Sequence, residues 1–238
     1  VYQPTDAIVL GSIKFGETSR VVHCYTRVFG VQGYMVNAVS GKNSVLKPGM
    51  MLPLTQLNLV ARHKGKGSLE RIKEAKLLCG YHNIPIDPVR NGLALFVAEV
   101  LNKSLKEEGA NEDKFNFVQD ICNALEELEK VPAHFPSSFL VGLSRYLGFF
   151  PEEKSSAAGL YFDMMEGVFL VHQPLHPHYM SADVSAALKR VMDGKMETYA
   201  LPRAIRKQLL YDLLNYYRIH LDGFGQLRSL EVLEEIFN

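Results

Sequence analysis

The 238-residue chain is 47% hydrophobic and 22% charged, an ordinary globular composition that excludes a disordered chain, a collagen-like chain and a coiled-coil rod. Its 26 Lys and Arg balance 26 Asp and Glu, which over the whole chain argues against a simple polybasic nucleic-acid binder. The length suits one large domain or two modest ones, each able to bury a real core.

The first 76 residues read as strands. Ala7–Phe15 alternates loosely, Arg20–Val28 is β-branched and aromatic, and Val31–Val39 follows directly after Gly30. Met50–Arg62 places Leu52, Leu54, Leu57 and Leu59 among polar positions, with a slip near Gln56 that predicts a bulge. Ser68–Leu78 suits a strand or a short helix. Gly16, Gly30, Gly33, Gly41, Gly49, Gly65 and Gly67 punctuate these runs as turns. Five short strands in this length fit a small Greek-key barrel of the OB-fold kind, and an SH3-like barrel gives the same pattern.

After Ile84-Pro85 the period becomes helical. Asp87-Pro88 is a helix start, with Asp as N-cap and Pro at the first helical position, and the helix runs to Lys106 before Gly109. Further helices are predicted over Asn111–Glu129, Ser137–Gly148, Ser181–Met192, Pro202–Leu221 and Ser229–Phe237. Between Phe149 and Met180 a Leu160–Asp163 run, a Glu166-Gly167 turn and a Val168–Val171 run predict an inserted hairpin. The expected architecture is α+β and multi-domain: a β-barrel over 1–78, then a mainly helical domain over 79–238 with the insertion at about 152–180.

Charge divides along the same line. Residues 1–76 hold 11 Lys and Arg against four acids, a net +7, and residues 77–238 hold 15 against 22, a net −7. Such asymmetry points to polyanion binding by the basic part. Its cations lie in or near turns: Lys14, Arg20, Lys42, Lys47, Arg62, Lys64 and Lys66. Turn-borne cations on a small barrel can track a phosphate backbone, and Phe15, Tyr25, Phe29 and Tyr34 are candidate stacking faces or, more simply, core.

Enzymatic signatures are missing. Neither Gly41-Lys42-Asn43 nor Gly65-Lys66-Gly67 completes a phosphate-binding loop, and no HExxH or GxSxG occurs, so no catalytic residues are assigned. His172, His176 and His178 share a loop but have no cysteine nearby. Cys24, Cys79 and Cys122 form no CxxC pair, which fits free thiols in a reducing cytoplasm. No apolar run reaches the roughly 18 residues of a membrane span, and no targeting pattern opens the chain.

Several runs together resemble the RecO family of recombination-mediator DNA-repair proteins. They are Ala7–Leu10 leading to Phe15-Gly-Glu-Thr-Ser-Arg20, then Tyr25-Thr26 and Gly30, Ser40–Asn43, and Leu46–Gly49. Ser137–Leu140, Tyr146–Phe149 with Pro151, Arg206, Leu209-Leu210, Tyr217 with His220-Leu221, and Leu227 with Ser229 continue the match. The resemblance implies an N-terminal OB-fold and a helical C-terminal domain. It also implies binding of single- and double-stranded DNA, strand annealing, and cooperation with RecR and single-strand-DNA-binding protein in loading recombinase, in a bacterial cytoplasm at the nucleoid. Many members of that family hold zinc with four cysteines in the insertion. Glu152–Met180 contains none, so no metal or other cofactor is expected and the hairpin should hold by apolar packing alone. The alternative function is a small-barrel adaptor whose basic loops meet an acidic protein.

A second candidate site is the helix opened by Pro202. Arg203, Arg206 and Lys207 crowd a helix start where acids are normally favoured, which suits anion capture by the free backbone N–H groups and the cations together. A groove of Ile205, Leu209 and Phe139 or Leu143 is expected beside it. The resemblance supplies a ligand, the acidic, Phe-ended C-terminal tail of single-strand-DNA-binding protein.

Overall fold

The computed structural model describes residues 2–37, 44–63, 69–105, 109–152, 159–194 and 201–237. Its contacts gather into two compact units, Val1–Val131 with Leu227–Asn238, and Pro132–Gln226.

The first unit is built on a closed five-stranded barrel, β1 (Tyr2–Phe15), β2 (Ser19–Thr26), β3 (Gly30–Val36), β4 (Gln56–Arg62) and β5 (Glu70–Leu77). β1 pairs antiparallel with both β2 and β4, and β5 closes the ring by lying parallel to β3 and antiparallel to β4. One strand can serve two neighbours because it bends. Its first half pairs with β4, its second half with β2, and the register slips between Val9 and Gly11. Gly11 sits there at φ 155, a conformation that side chains resist, and the bulge lets β1 turn the barrel's corner. Val9, Val22, Cys24, Tyr34, Leu57, Leu59 and Ile72 fill the interior.

The run expected as one strand from Met50 is two elements. Pro48–Met51 is a 3-10 turn, set by the proline near its start, and the strand begins only at Gln56. Leu54, at φ 63, turns the chain between them, and its N–H donates to the Val9 carbonyl at 2.7 Å. The bulge on this strand lies at Val60/Ala61 against β5, not near Gln56. Ser68–Leu78, left open between strand and helix, supplies β5.

Two helices complete this part of the unit, α1 (Pro88–Ser104) and α2 (Glu112–Glu127). Asp87 caps α1 by accepting from the Val89 and Arg90 N–H groups, and Asn111 caps α2 through the Lys114 N–H. The linker between barrel and helices is tied from α2. The Glu126 carboxylate accepts three consecutive backbone N–H groups, from His82, Asn83 and Ile84, at 2.7, 2.9 and 3.0 Å. The buried Arg90 guanidinium donates to the carbonyls of Leu125, Glu126, Leu128 and Glu129, which would otherwise be orphaned at the end of α2. Gln56 adds a buried polar bridge from β4, donating to Asn123 and the Tyr81 hydroxyl and accepting from Gln119. The last helix of the chain, Ser229–Phe237, also belongs to this unit. Glu99 on α1 accepts from the N–H groups of Arg228 and Ser229 and from the Ser229 hydroxyl, capping that helix from outside.

The second unit contains α3 (Phe135–Leu147), a small sheet of β6 (Tyr161–Asp163), β7 (Val168–Leu170) and β8 (Tyr179–Met180) in the order β7-β6-β8, then α4 (Ala182–Met192) and α5 (Arg203–His220). The final helix becomes α6. Gly148 ends α3 in the left-handed conformation. The inserted hairpin is present, with β8 as a third strand that the alternation did not reveal. Apolar packing of Phe162, Phe169 and Met180 is not its only support. Asp163, buried, accepts from the Met165 and Glu166 N–H groups through one oxygen and meets His176 Nε2 at 3.0 Å through the other. No helix among the described residues is long and apolar enough to cross a membrane.

Candidate nucleic-acid interface

Strand register sorts the barrel's side chains into an inner and an outer set. Val22 and Tyr34 are opposite each other and face the core, so Val21, His23 and Tyr25 on β2, and Gly33 and Met35 on β3, face out. Following the pairings across β1, β2, β3 and β5 gives ordered outer rows. One row is Ile13, Val21, Met35 and Arg71, and the next is Gly11, His23 and Gly33, continued in the parallel register by Leu69. Phe15 opposite Ser19 starts a third.

Part of this outer face is bare, although Val21 in its first row is buried. Ile13, Phe15 and Leu69 are 59%, 56% and 49% exposed. Two glycines in one row keep the centre shallow, and a Cβ placed on Gly33 would meet Leu69 Cδ2 at 3.1 Å. Cations lie on the patch's outer row and at the adjoining rim. Lys14 and Arg20 are directly paired on β1 and β2 at the barrel's rim, where the Arg20 guanidinium donates to the Ser12 hydroxyl at 3.2 Å. Arg71 is exposed on β5, and Lys73 follows it, ion-paired with Glu74 at 3.5 Å. Flat apolar and aromatic surface ringed by Lys and Arg is the arrangement on which unpaired bases stack while phosphates meet the rim.

The expected cations divide. Lys14 and Arg20 come together at the barrel's rim, but they alternate with Ile13 and Val21 and share the register of Ser12, Val22 and Val36, so they adjoin this face without lying on it. Arg62 lies at the far end of β4 opposite Tyr2, and Lys47 lies at the start of the 3-10 turn, so neither belongs to the patch. Lys42, Lys64 and Lys66 lie outside the described residues. Arg71, Ile13, His23 and Leu69 are part of the face but were not singled out from the sequence. Their signal was strand parity, which needs the register of β5 on β3.

Of the four aromatics considered for stacking, Phe15 is the exposed one. Tyr25 packs on Phe115 of α2, with ring centroids 5.6 Å apart, and its hydroxyl donates to the Asn111 carbonyl; burial pushes its pKa up to about 12. Tyr34 is fully buried in the barrel, and burial above all raises its pKa. Phe29 is half-buried and stacks on His63, whose own pKa burial lowers despite the nearby Glu70. These three rings are structural.

The second candidate site has a different outcome. α5 starts with no acid in its first turn and no side-chain cap, and Arg203 and Lys207 are exposed there. Arg206 donates to the Leu201 carbonyl at 3.2 Å, and Lys207 lies 5.7 Å from the Tyr211 ring. The groove expected beside these cations is absent, because Leu209, Phe139 and Leu143 are buried in the unit's own core. Among the described residues no group of His, Cys, Asp and Glu is arranged to hold a metal. His176 is engaged with Asp163 and accepts from the His178 N–H, and His220 meets the Met164 carbonyl and stacks on Phe149.

Comparison with known proteins agrees with this layout. The family described as Recombination protein O N terminal matches residues 2–81, and Recombination protein O C terminal matches residues 86–231. The chain is 37% identical to a DNA repair protein RecO of Flavobacterium psychrophilum over 98% of both chains. It is 35% identical to that of Bacteroides fragilis and 31% identical to that of Phocaeicola vulgatus, each over 99% of both chains. A barrel and a helical region matched in order by the two halves of one family make the chain a member of the RecO family of DNA repair proteins.

Proposed function

We propose that this chain is a non-enzymatic recombination mediator that binds single- and double-stranded DNA, anneals strands, and helps load recombinase onto DNA coated with single-strand-binding protein. The observation that supports the DNA-binding step is the exposed part of the strand face, with Phe15, Ile13 and Leu69 on it, Arg71 in the same outer register, and Lys14 and Arg20 at the adjoining rim. Lys42, Lys64 and Lys66 are proposed as further phosphate contacts. A salt titration with single-stranded DNA tests the reading. Lys42, Lys64 and Lys66 changed together to Ala should weaken binding with little dependence on sequence, each lost contact lowering the log–log salt slope by about 0.7. Binding equal to the parent at moderate salt would place the site elsewhere. A barrel that contacts an acidic protein instead would show no DNA affinity in the same titration.

The start of α5 is proposed as the partner site, with RecR and the acidic C-terminal tail of single-strand-DNA-binding protein as the partners of the chain. It is supported by exposed Arg203 and Lys207 at a helix start that holds no acid. Since the neighbouring apolar groove is missing, the charges must carry the contact. Arg203→Glu with Lys207→Glu should abolish binding of a tail peptide, read by fluorescence anisotropy, and leave bare-DNA binding intact. Unchanged peptide affinity would end this proposal.

A further inference from the structure

Among the described residues, the buried side-chain polar atoms without a hydrogen-bond partner are the Tyr34 hydroxyl and both ring nitrogens of His63. They lie together at one end of the barrel. Tyr34 points inward from β3 and is fully buried. His63 follows the last residue of β4, stacks on Phe29 with ring centroids 3.3 Å apart, and meets the Tyr34 ring edge-on at 6.1 Å.

The same end holds a buried carboxylate. Glu70, the first residue of β5, pairs with Tyr34 in the parallel register. Glu70 is the charged group that acts on His63, and Glu70 and the Cys24 thiol act on Tyr34. From the β2–β3 turn, Phe29 supplies an apolar surface. On the strand of His63 itself, Arg62 is exposed.

A neutral imidazole carries one N–H and one lone pair. Leaving both unpaired in an interior costs free energy that a phenyl ring of the same outline does not incur. Stacking on Phe29 and burial hold the ring in place against that cost. Protonation tips the balance, because both nitrogens then become donors and a positive charge must be desolvated. Glu70 offsets part of this, but burial is the larger effect and holds the imidazole below its ordinary pKa. An unsatisfied polar group kept in a packed interior is a reservoir of strain that a small chemical change can release.

We propose that His63 is a proton-operated latch at this end of the barrel. Neutral, its ring sits on Phe29 beside Tyr34; protonated, it leaves the interior for solvent. The consequence for function rests on the DNA-binding reading above. Lys64 and Lys66 follow His63 in the sequence, so its release adds a cation next to two of the proposed phosphate contacts. Acid then strengthens the hold on a phosphate backbone.

His63→Phe keeps a stacked ring and removes both nitrogens. A histidine whose pKa is lowered by folding takes up its proton more readily in the unfolded chain. The parent therefore loses stability as pH falls from the ordinary histidine range to the folded value. The variant has no such loss. It should melt at or above the parent's temperature at neutral pH, and the gap should widen in acid until the folded value is passed. Proton NMR of the full chain, with the His63 Cε1–H signal assigned by its loss in the variant, should show titration below the ordinary histidine range. The Phe29 ring signals should move along the same curve. Binding of oligodeoxythymidine at fixed moderate salt should tighten on acidification about threefold more in the parent than in the variant, the worth of one added phosphate contact.

A variant that melts below the parent at neutral pH would show that the nitrogens are satisfied and would overturn the latch. A melting gap independent of pH, or His63 titrating at or above the ordinary range, would overturn it equally. The same pH response of oligonucleotide binding in both proteins would overturn its control of the phosphate contacts. A parent without DNA affinity at any pH would end the DNA-binding reading alone, and the melting and NMR results would still decide the latch.

Discussion

Ile8 and Tyr25 face each other across β1 and β2, and Ile13 and Val21 do the same further along the same two strands. All four point out of the barrel. Yet Ile8 and Tyr25 are fully buried, while of the second pair Val21 is buried and Ile13 is 59% exposed. The difference is α2. Phe115 packs on Tyr25, and Arg27 at the end of β2 reaches Asn116 at 2.7 Å and Gln119 at 3.2 Å while lying over the Phe115 ring. Among the described residues no comparable helix contact holds Ile13 or Phe15, which stay more than half exposed. One strand face therefore divides in two: its covered half joins barrel to helices, and its exposed half carries the proposed DNA-binding surface.

This contrast can be broken from either side. The largest effect belongs to the covered half. Phe115→Ala should cost about 3–5 kcal/mol of unfolding free energy, whereas Phe15→Ala should change it by less than about 0.5 kcal/mol, both read by urea titration. A large loss for Phe15→Ala would mean that the bare half is structural after all. The next effect runs in the opposite direction. Phe15→Ala should weaken single-stranded DNA binding by about 1–3 kcal/mol, the usual value of one base stacked on one ring, and weaken duplex binding less. Equal losses on both substrates would show that unpaired bases do not sit on this ring. Smaller still, Lys14→Ala and Arg71→Ala should each lower the log–log salt slope for single strands by about 0.7 without changing its form. An unchanged slope for either would remove that cation from the interface.

The smallest expected effect concerns the clamp that keeps the covered half in place. Burial pushes the Glu126 carboxyl up, but the three backbone N–H groups it accepts, with help from His82, hold it below its ordinary value. A carboxyl depressed in the folded state stabilises above its unfolded pKa, and that contribution fades as pH falls through the folded value. The melting temperatures of the parent and Glu126→Gln should therefore differ at neutral pH and converge in acid, below the usual carboxylate range. A gap that stays constant down to that range would show that the charge on Glu126 contributes nothing.

Local rules made much of this fold legible. Asp87 with Pro88, Gly148, and the Glu166-Gly167 turn each carry a short-range physical reason for starting or stopping an element, and the structure places those features as the sequence suggested. What escaped needed pairing information. The leucine alternation from Met50 looked continuous, because a left-handed Leu54 leaves no mark on a hydrophobic pattern. The candidate face suffered similarly. Cations near glycines were easy to notice, but Arg71 joins the face only because β5 lies parallel to β3 with Met35 beside it. Tyr25 and Phe15 are equally aromatic on paper, and only α2 decides which of them is core. The expected groove by Lys207 failed for the complementary reason. Leu209 does sit on the apolar stripe of α5, but that stripe is used up inside the unit.

The Glu99 clamp on α6 carries a consequence for how the chain is made. Residues 227–238 join a unit otherwise built from residues 1–131, with the whole of Pro132–Gln226 intervening. During synthesis the barrel, α1 and α2 emerge before residues 132–226, yet the surface of α1 that receives α6 must wait until residues 227–237 have followed them. The second unit is contiguous and has no such delay. Contacts that join distant parts of a chain form late and slowly, so the first unit, though its barrel is translated before the second unit, can be completed only after it.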